Sequence, residues 1–171
     1  MNKILKTMML AIVTAFGLAS CEDVPAPIVD PEMPDSGEVI EAEGNGTLEE
    51  PFNVIAAIKY VQELGADVES PEKVYIKGIV CQSNKMDISA QYKNATFHIS
   101  EDGTANSTQF LIFRTKGLKG ADITSSDDVQ VGDEVIVYAS LVNYYGNTPE
   151  TAQGGIIYSQ KRNGVELGGN Q

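Results

Sequence analysis

Few side chains in this 171-residue sequence could carry out covalent or metal chemistry. The chain has two cysteines, Cys21 and Cys81, and one histidine, His98. Zinc sites need several Cys, His or carboxylate ligands at short spacings, and no such spacing occurs. The phosphate-loop, HExxH and GxSxG patterns are also missing. We therefore predict that the chain has no active site, metal site or cofactor and is not an enzyme.

The two remaining reactive residues of the domain have structural interpretations. Cys81 ends an alternating apolar stretch, so we interpret it as a small buried hydrophobic residue rather than a nucleophile. His98 stands in mid-strand between Phe97 and Ile99, and we expect it to point outward. The paired acids at 101–102 and 127–128 lack the ligand spacing of a calcium loop, so we interpret them as solvated turns.

Cys21 ends an N-terminal segment with the features of an export signal. Lys3 and Lys6 precede an apolar run over 8–18, which is shorter than the roughly 20 residues that span a bilayer. The run ends in LASC at positions 18–21, which resembles the lipobox of bacterial lipoproteins. The resemblance implies cleavage of a signal peptide, 1–20, and diacylation of Cys21. We expect a lipid anchor in the cell envelope, at the outer membrane; a secretory signal with a coincidental cysteine is the alternative.

Charge separates a tether from a domain. The chain has 12 basic and 24 acidic residues, and removal of the two lysines of the signal leaves 10 basic and 24 acidic residues, a net charge of −14. Residues 22–50 hold ten of the acids, no base and four prolines. Such a segment buries too little apolar surface to offset its ordering entropy. We predict a disordered acidic tether over 21–46, one domain over 47–160 and a flexible tail over 161–171.

The domain pattern indicates one helix followed by five strands. Apolar residues recur at helical spacing over 52–64, after a possible capping box at Thr47 and Glu50, and Gly65 is a natural stop. Strands are predicted over 73–81, 95–100, 109–114, 133–142 and 154–160, with a hairpin tip at 144–147. The longest connector, 115–130, separates the third strand from the fourth. Five short strands with a mid-strand glycine, Gly78, match the plan of an OB-fold barrel.

The sequence also resembles an OB-fold domain found in uncharacterised lipoproteins of the Bacteroidetes, similar to modules that accompany extracellular nucleases. The matching segments are 46–54 (GTLEEPFNV), 74–80 (VYIKGIV), 94–100 (NATFHIS), 131–138 (VGDEVIVY) and 143–154 (NYYGNTPETAQG). One departure is Ala139-Ser140, where many such strands carry a glycine. The resemblance implies a mainly β, five-stranded OB-fold-like barrel and leaves the ligand open, since fold does not fix function.

OB-folds bind ligands with the loops after strands one and four. Two tyrosines at a hairpin tip, Tyr144 and Tyr145, fall in the second of these loops. We predict a ligand surface formed by these two residues with Tyr92, Lys85 and Lys93; packing of the tyrosines over the barrel end is the alternative. The first hypothesis is a non-catalytic binding module for an oligosaccharide, peptide or protein. The alternatives are a single-stranded nucleic-acid-binding module, which the acidic charge opposes, and an accessory subunit of an envelope complex.

Overall fold

The computed structural model describes residues 40–81 and 86–168. Its elements are α1 (Val54–Leu64), β1 (Val74–Cys81), β2 (Asp87–Ser89), β3 (Asn94–Ser100), β4 (Gln109–Leu118), β5 (Glu134–Ala139), β6 (Leu141–Tyr144), β7 (Thr148–Thr151), β8 (Ile156–Arg162) and β9 (Val165–Glu166). The predicted signal peptide, Cys21, most of the tether and Lys85 lie outside the described residues.

The domain is a closed five-stranded barrel, as predicted. Its strands follow the order β1–β3–β4–β8–β5 and return to β1. The β4–β8 pair is parallel and the other four pairs are antiparallel. This mixed barrel, with one helix before its strands, is consistent with an OB-fold-like domain.

Strand β1 closes the barrel by changing partners along its length. Residues 74–79 pair with β5, and residues 79–81 pair with β3. Gly78 stands just before the change, and a Cβ atom there would come within 2.9 Å of the Ile99 side chain. The absence of that atom permits the close approach that a sharp bend in a small barrel requires.

Helix α1 begins later than predicted, because Phe52 is committed to the sheet. Its N–H donates to the carbonyl of Tyr75, and its carbonyl accepts from Lys77, so residue 52 is extended. The N-cap is therefore Asn53, whose Oδ1 accepts from the N–H of Ala56 at 2.8 Å. The Thr47 hydroxyl does accept from the Glu50 N–H, as in a capping box, but this bond closes a turn before Pro51, and Thr47 does not cap α1. The predicted stop at Gly65 is confirmed.

The core fills the barrel and the space beneath α1. Helix residues Val54, Ala57 and Val61 are fully buried against it. The inward residues of the strands supply the rest, among them Ile76, Val80, Phe97, Ile99, Phe110, Ile112, Val135, Val137 and Ile157. Cys81 is also buried and forms no disulfide, so its predicted burial is confirmed.

A hairpin projects from the predicted fourth strand. Residues 133–142 do not form one strand: β5 ends at Ala139, and β6 begins at Leu141 and pairs with β7 instead of with the barrel. The carbonyl of Ser140, between them, accepts from the N–H of Ala152. Strand β7 then runs parallel to β4, so the hairpin extends the sheet beyond the barrel.

A buried carboxylate fastens β5 to β8. Asp133, whose side chain is 1 % exposed, accepts from both the Nε and NH2 groups of Arg162 at 2.8 and 2.9 Å. It also accepts from the Gln160 side chain at 2.7 Å and the Gln130 N–H at 2.8 Å.

Strand pairing continues through a β8–β9 hairpin into the segment predicted as a flexible tail.

Of the helices in 40–81 and 86–168, none combines the length and apolar character that crossing a membrane would take.

Candidate functional site

The β6–β7 hairpin presents two tyrosines to solvent. Tyr144 is 45 % exposed and Tyr145 is 72 % exposed, and their ring centroids lie 4.3 Å apart. The hairpin tip is confirmed, and positive φ angles occur at Tyr145 (51°) and Gly146 (73°). A positive φ is unusual for an aromatic residue. The N–H of Tyr145 donates to the Asp67 carboxylate at 2.7 Å, which holds this conformation.

A groove of about 300 Å³ lies beside this tyrosine pair. Side chains alternate along a strand, so Val142 and Tyr144 of β6 share a face with Glu150, which is paired with Val142. The lining also includes Phe113 of β4 and residues from the segment after α1. The full lining is Asp67, Glu69, Phe113, Val142, Tyr144, Glu150, Ala152 and Gln153.

Glu150 is the unusual member of this groove. It is 7 % exposed, and burial raises the pKa of its carboxyl above the ordinary value for glutamate. Within the part of the chain that the structure describes, its carboxylate accepts no hydrogen bond and forms no salt bridge. Asp67 and Glu69 lie in the same lining and are exposed, so the groove is acidic.

The predicted residues Tyr92 and Lys93 occupy the turn between β2 and β3. Lys93 pairs with Asp122 at 3.0 Å, and Lys116 joins the same carboxylate at 2.8 Å. The hydrogen bonds from Lys116 and Lys93 lower the pKa of Asp122. The ammonium of Lys116 also donates to the Tyr92 carbonyl. Two lysines therefore share one carboxylate, which leaves these three residues with a net positive charge.

The described contacts place the predicted site residues in two groups. Tyr144 and Tyr145 contact each other and Asp67, whereas Tyr92 and Lys93 lie around Asp122. Among the described residues, no hydrogen bond, salt bridge or ring contact joins the two groups. Lys85 lies outside them, and the joint ligand surface of all five residues stays a prediction.

A second aromatic surface was not predicted. Tyr75 and Tyr138, paired across β1 and β5, stack at 4.5 Å, and Tyr158 of β8 meets Tyr75 edge-on at 5.2 Å. The ammonium of Lys73 lies 5.8 Å from the centre of the Tyr138 ring. Each tyrosine occupies an outward position of its strand, which the sequence alternation indicates. The sequence does not give the register that brings the three together.

Neither His98 nor the acidic clusters form a metal centre in the described residues. His98 alternates with buried Phe97 and Ile99, so it faces away from the core, and partial burial lowers its pKa. Across residues 40–81 and 86–168, no group of three His, Cys, Asp or Glu side chains is arranged to hold a metal ion. Asp102 instead orders its own loop. Hydrogen bonds from Ser107 and Thr104 lower its pKa to about 2.

No protein-family model matches this sequence, and a comparison with curated proteins finds no match either.

Proposed function

We propose that the barrel is a non-catalytic binding module whose ligand contacts the β6–β7 hairpin. The ligand is an oligosaccharide, a peptide or a protein partner. The observation that carries the proposal is the exposed, mutually packed pair Tyr144 and Tyr145 at the tip of an element that projects beyond the barrel. Tyrosine supplies a large, rigid contact area together with a polar hydroxyl, which suits it to binding surfaces.

The position of the hairpin supports this proposal. OB-fold proteins use the loop between their fourth and fifth strands for ligands, and here that loop contains the whole hairpin. The hairpin is also fixed in place, because β7 pairs with β4 and Asp67 holds the turn. A surface that is ordered before binding loses little conformational entropy when it binds.

Charge favours such a ligand over a nucleic acid. Single-strand-binding OB-folds combine stacking aromatics with a basic groove. The groove beside Tyr144 has Asp67, Glu69 and Glu150 in its lining, which would repel a phosphate backbone.

A paired-variant binding experiment tests the hairpin surface. Purified protein is screened on a glycan array, and its protein partners are captured from envelope extract by cross-linking. The double variant Tyr144→Ala/Tyr145→Ala is expected to lose at least about tenfold in affinity for whatever is bound. The matched control is Tyr75→Ala/Tyr158→Ala, which removes two contacting tyrosines elsewhere and is expected to bind normally.

The same measurement can overturn the proposal. Binding that is unchanged in the hairpin variant but lost in the control would move the ligand surface to β1 and β8. Salt-sensitive retention on single-stranded DNA, without glycan or protein binding, would favour the nucleic-acid alternative.

We further propose that the barrel is held at the outer membrane by lipid on Cys21, as in the Bacteroidetes lipoproteins that the sequence resembles. The support is the LASC tetrapeptide after a short apolar run, followed at once by an acidic, proline-containing segment. Two or more acyl chains anchor a protein stably, whereas one does so only marginally.

A further inference from the structure

We propose that the groove beside the β6–β7 hairpin binds a guanidinium group, presented by an arginine side chain of a peptide or protein partner. The inference rests on the proposed function, because it specifies the ligand chemistry of the same hairpin.

The first argument is the state of Glu150. A buried carboxylate is costly unless it is paired or hydrogen-bonded, and buried polar groups in proteins almost always have partners. Glu150 is 7 % exposed as a whole and lines the groove; among the described residues its carboxylate oxygens have no hydrogen-bond or salt-bridge partner, and they are not fully enclosed, so they are accessible from the groove. A cationic donor entering the groove would supply the missing interaction.

The second argument is the charge around Glu150. Asp67 and Glu69 line the same groove and, among the described residues, form no salt bridge with a lysine or arginine. Asp122, by contrast, is neutralised within the chain, because Lys93 and Lys116 both pair with it. The three groove carboxylates are not clustered as metal ligands in the described residues, so an extended organic cation suits them better.

The third argument is the aromatic part of the lining. Phe113 and Tyr144 line the groove with the carboxylates. A planar guanidinium can stack on an aromatic ring and donate to a carboxylate at the same time, which an ammonium does less well. The guanidinium of Arg114 already lies 5.6 Å from the centre of the Phe113 ring, so the incoming guanidinium is expected to stack on Tyr144.

Chemical-shift mapping with two short peptides tests the inference. The full-length, 15N-labelled protein is titrated with acetyl-Gly-Arg-Gly-amide and with the same peptide containing citrulline, which has the same shape without the charge. The arginine peptide is expected to give saturable shifts at Glu150, Tyr144 and Phe113, and the citrulline peptide at least about tenfold weaker binding. Glu150→Gln is expected to abolish the arginine response, whereas Glu63→Gln on the exposed face of α1 keeps it.

Equal binding of the two peptides, or full binding to Glu150→Gln, would overturn the inference. So would saturable shifts confined to another surface. These results are distinguishable from failure of the proposed function, which is judged by Tyr144→Ala/Tyr145→Ala and its own ligand. Loss of partner binding in that variant, with no response to arginine, would leave the hairpin surface standing and remove only the guanidinium site.

Discussion

Burial disfavours the ionised form of the Glu150 carboxyl, which has no hydrogen-bond or salt-bridge partner among the described residues. Because burial raises its pKa, the folded state binds the proton more tightly than the unfolded state does, and the ionised form lowers stability. The cost is full above the folded pKa and is relieved as the pH falls through that value. Below the ordinary pKa of glutamate both states are protonated, and the cost is absent.

Replacement by the neutral isostere is therefore expected to stabilise the protein. We predict that Glu150→Gln raises the melting temperature by about 2–4 °C at pH 7.5, with the difference shrinking toward pH 4. Thermal denaturation followed by circular dichroism measures both values, and Glu63→Gln serves as the control for the loss of one negative charge. A lower melting temperature for Glu150→Gln at pH 7.5 would contradict this account.

The two kinds of residue at this site differ in how far the sequence reveals them. Tyr144 and Tyr145 could be predicted to be exposed, since two aromatics before a Gly-Asn pair belong to a turn. Glu150 could not be predicted, because a glutamate after a proline is expected to be solvated. Its burial follows from the parallel pairing of β7 with β4, which joins residues 39 positions apart, Leu111 and Glu150.

At the scale of the elements, the side chain of Asp133 links the start of β5 to Gln160 and Arg162 of β8. Burial on its own raises the pKa of Asp133, but hydrogen bonds from Arg162, Gln130 and Gln160 outweigh it, and the net pKa is lowered. The ionised carboxylate therefore stabilises the fold at pH values above the ordinary pKa of aspartate. That contribution is lost as the pH falls through the lower, folded pKa.

Removing the negative charge of Asp133 is expected to weaken the contact between β5 and β8. We predict that Asp133→Asn lowers the free energy of unfolding by about 2–3 kcal/mol at pH 7, because the amide removes the charge that pairs with Arg162 and replaces one of the two acceptor oxygens by a donor. Urea denaturation at pH 7 and at pH 3 measures the effect, which is expected to be smaller at the lower pH. Asp127→Asn is the matched control, since in the described part of the chain its carboxylate accepts one hydrogen bond, from Gln130 at 3.4 Å. An equal loss in both variants would show that Asp133 has no special role.

The elements themselves were largely predictable, and their ends were not. The alternation of apolar and polar residues over 73–81 predicted β1, which spans Val74–Cys81. It did so because the inward side chains of that strand face the core and the outward ones face solvent. The start of α1 and the break at Ser140 were missed for a common reason. In each place the backbone is already bonded to a distant segment: Phe52 to β1, and Ser140 to Ala152.

At the scale of the whole molecule, charge and fold are divided along the chain. Ten of the 24 acidic residues precede Pro51, so the barrel itself is only weakly acidic. The five strands of the barrel could be predicted from the sequence, whereas β2, β7 and β9 were not predicted and β6 was not separated from β5. The closure of the barrel could not, because the parallel β4–β8 pair joins two strands that lie more than 35 residues apart.

The anchor belongs to this scale as well. We predict that Cys21→Ala abolishes incorporation of labelled palmitate and moves the protein from the membrane fraction to the soluble fraction. Cys81→Ala, the same change at the buried cysteine, is expected to keep the label. Metabolic labelling followed by fractionation measures both, and persistent label in Cys21→Ala would rule out this cysteine as the attachment point.

Asn53 has a mechanical consequence. Its Nδ2 donates to the carbonyl of Glu41, its Oδ1 accepts from the N–H of Glu43, and its own N–H donates to the carbonyl of Glu43. A pull on residue 40 is therefore borne first by three hydrogen bonds to a residue that also caps α1. While those bonds hold, the load passes from Asn53 both to α1 and to Phe52, which is bonded to β1, and the loop over 44–51 carries none of it.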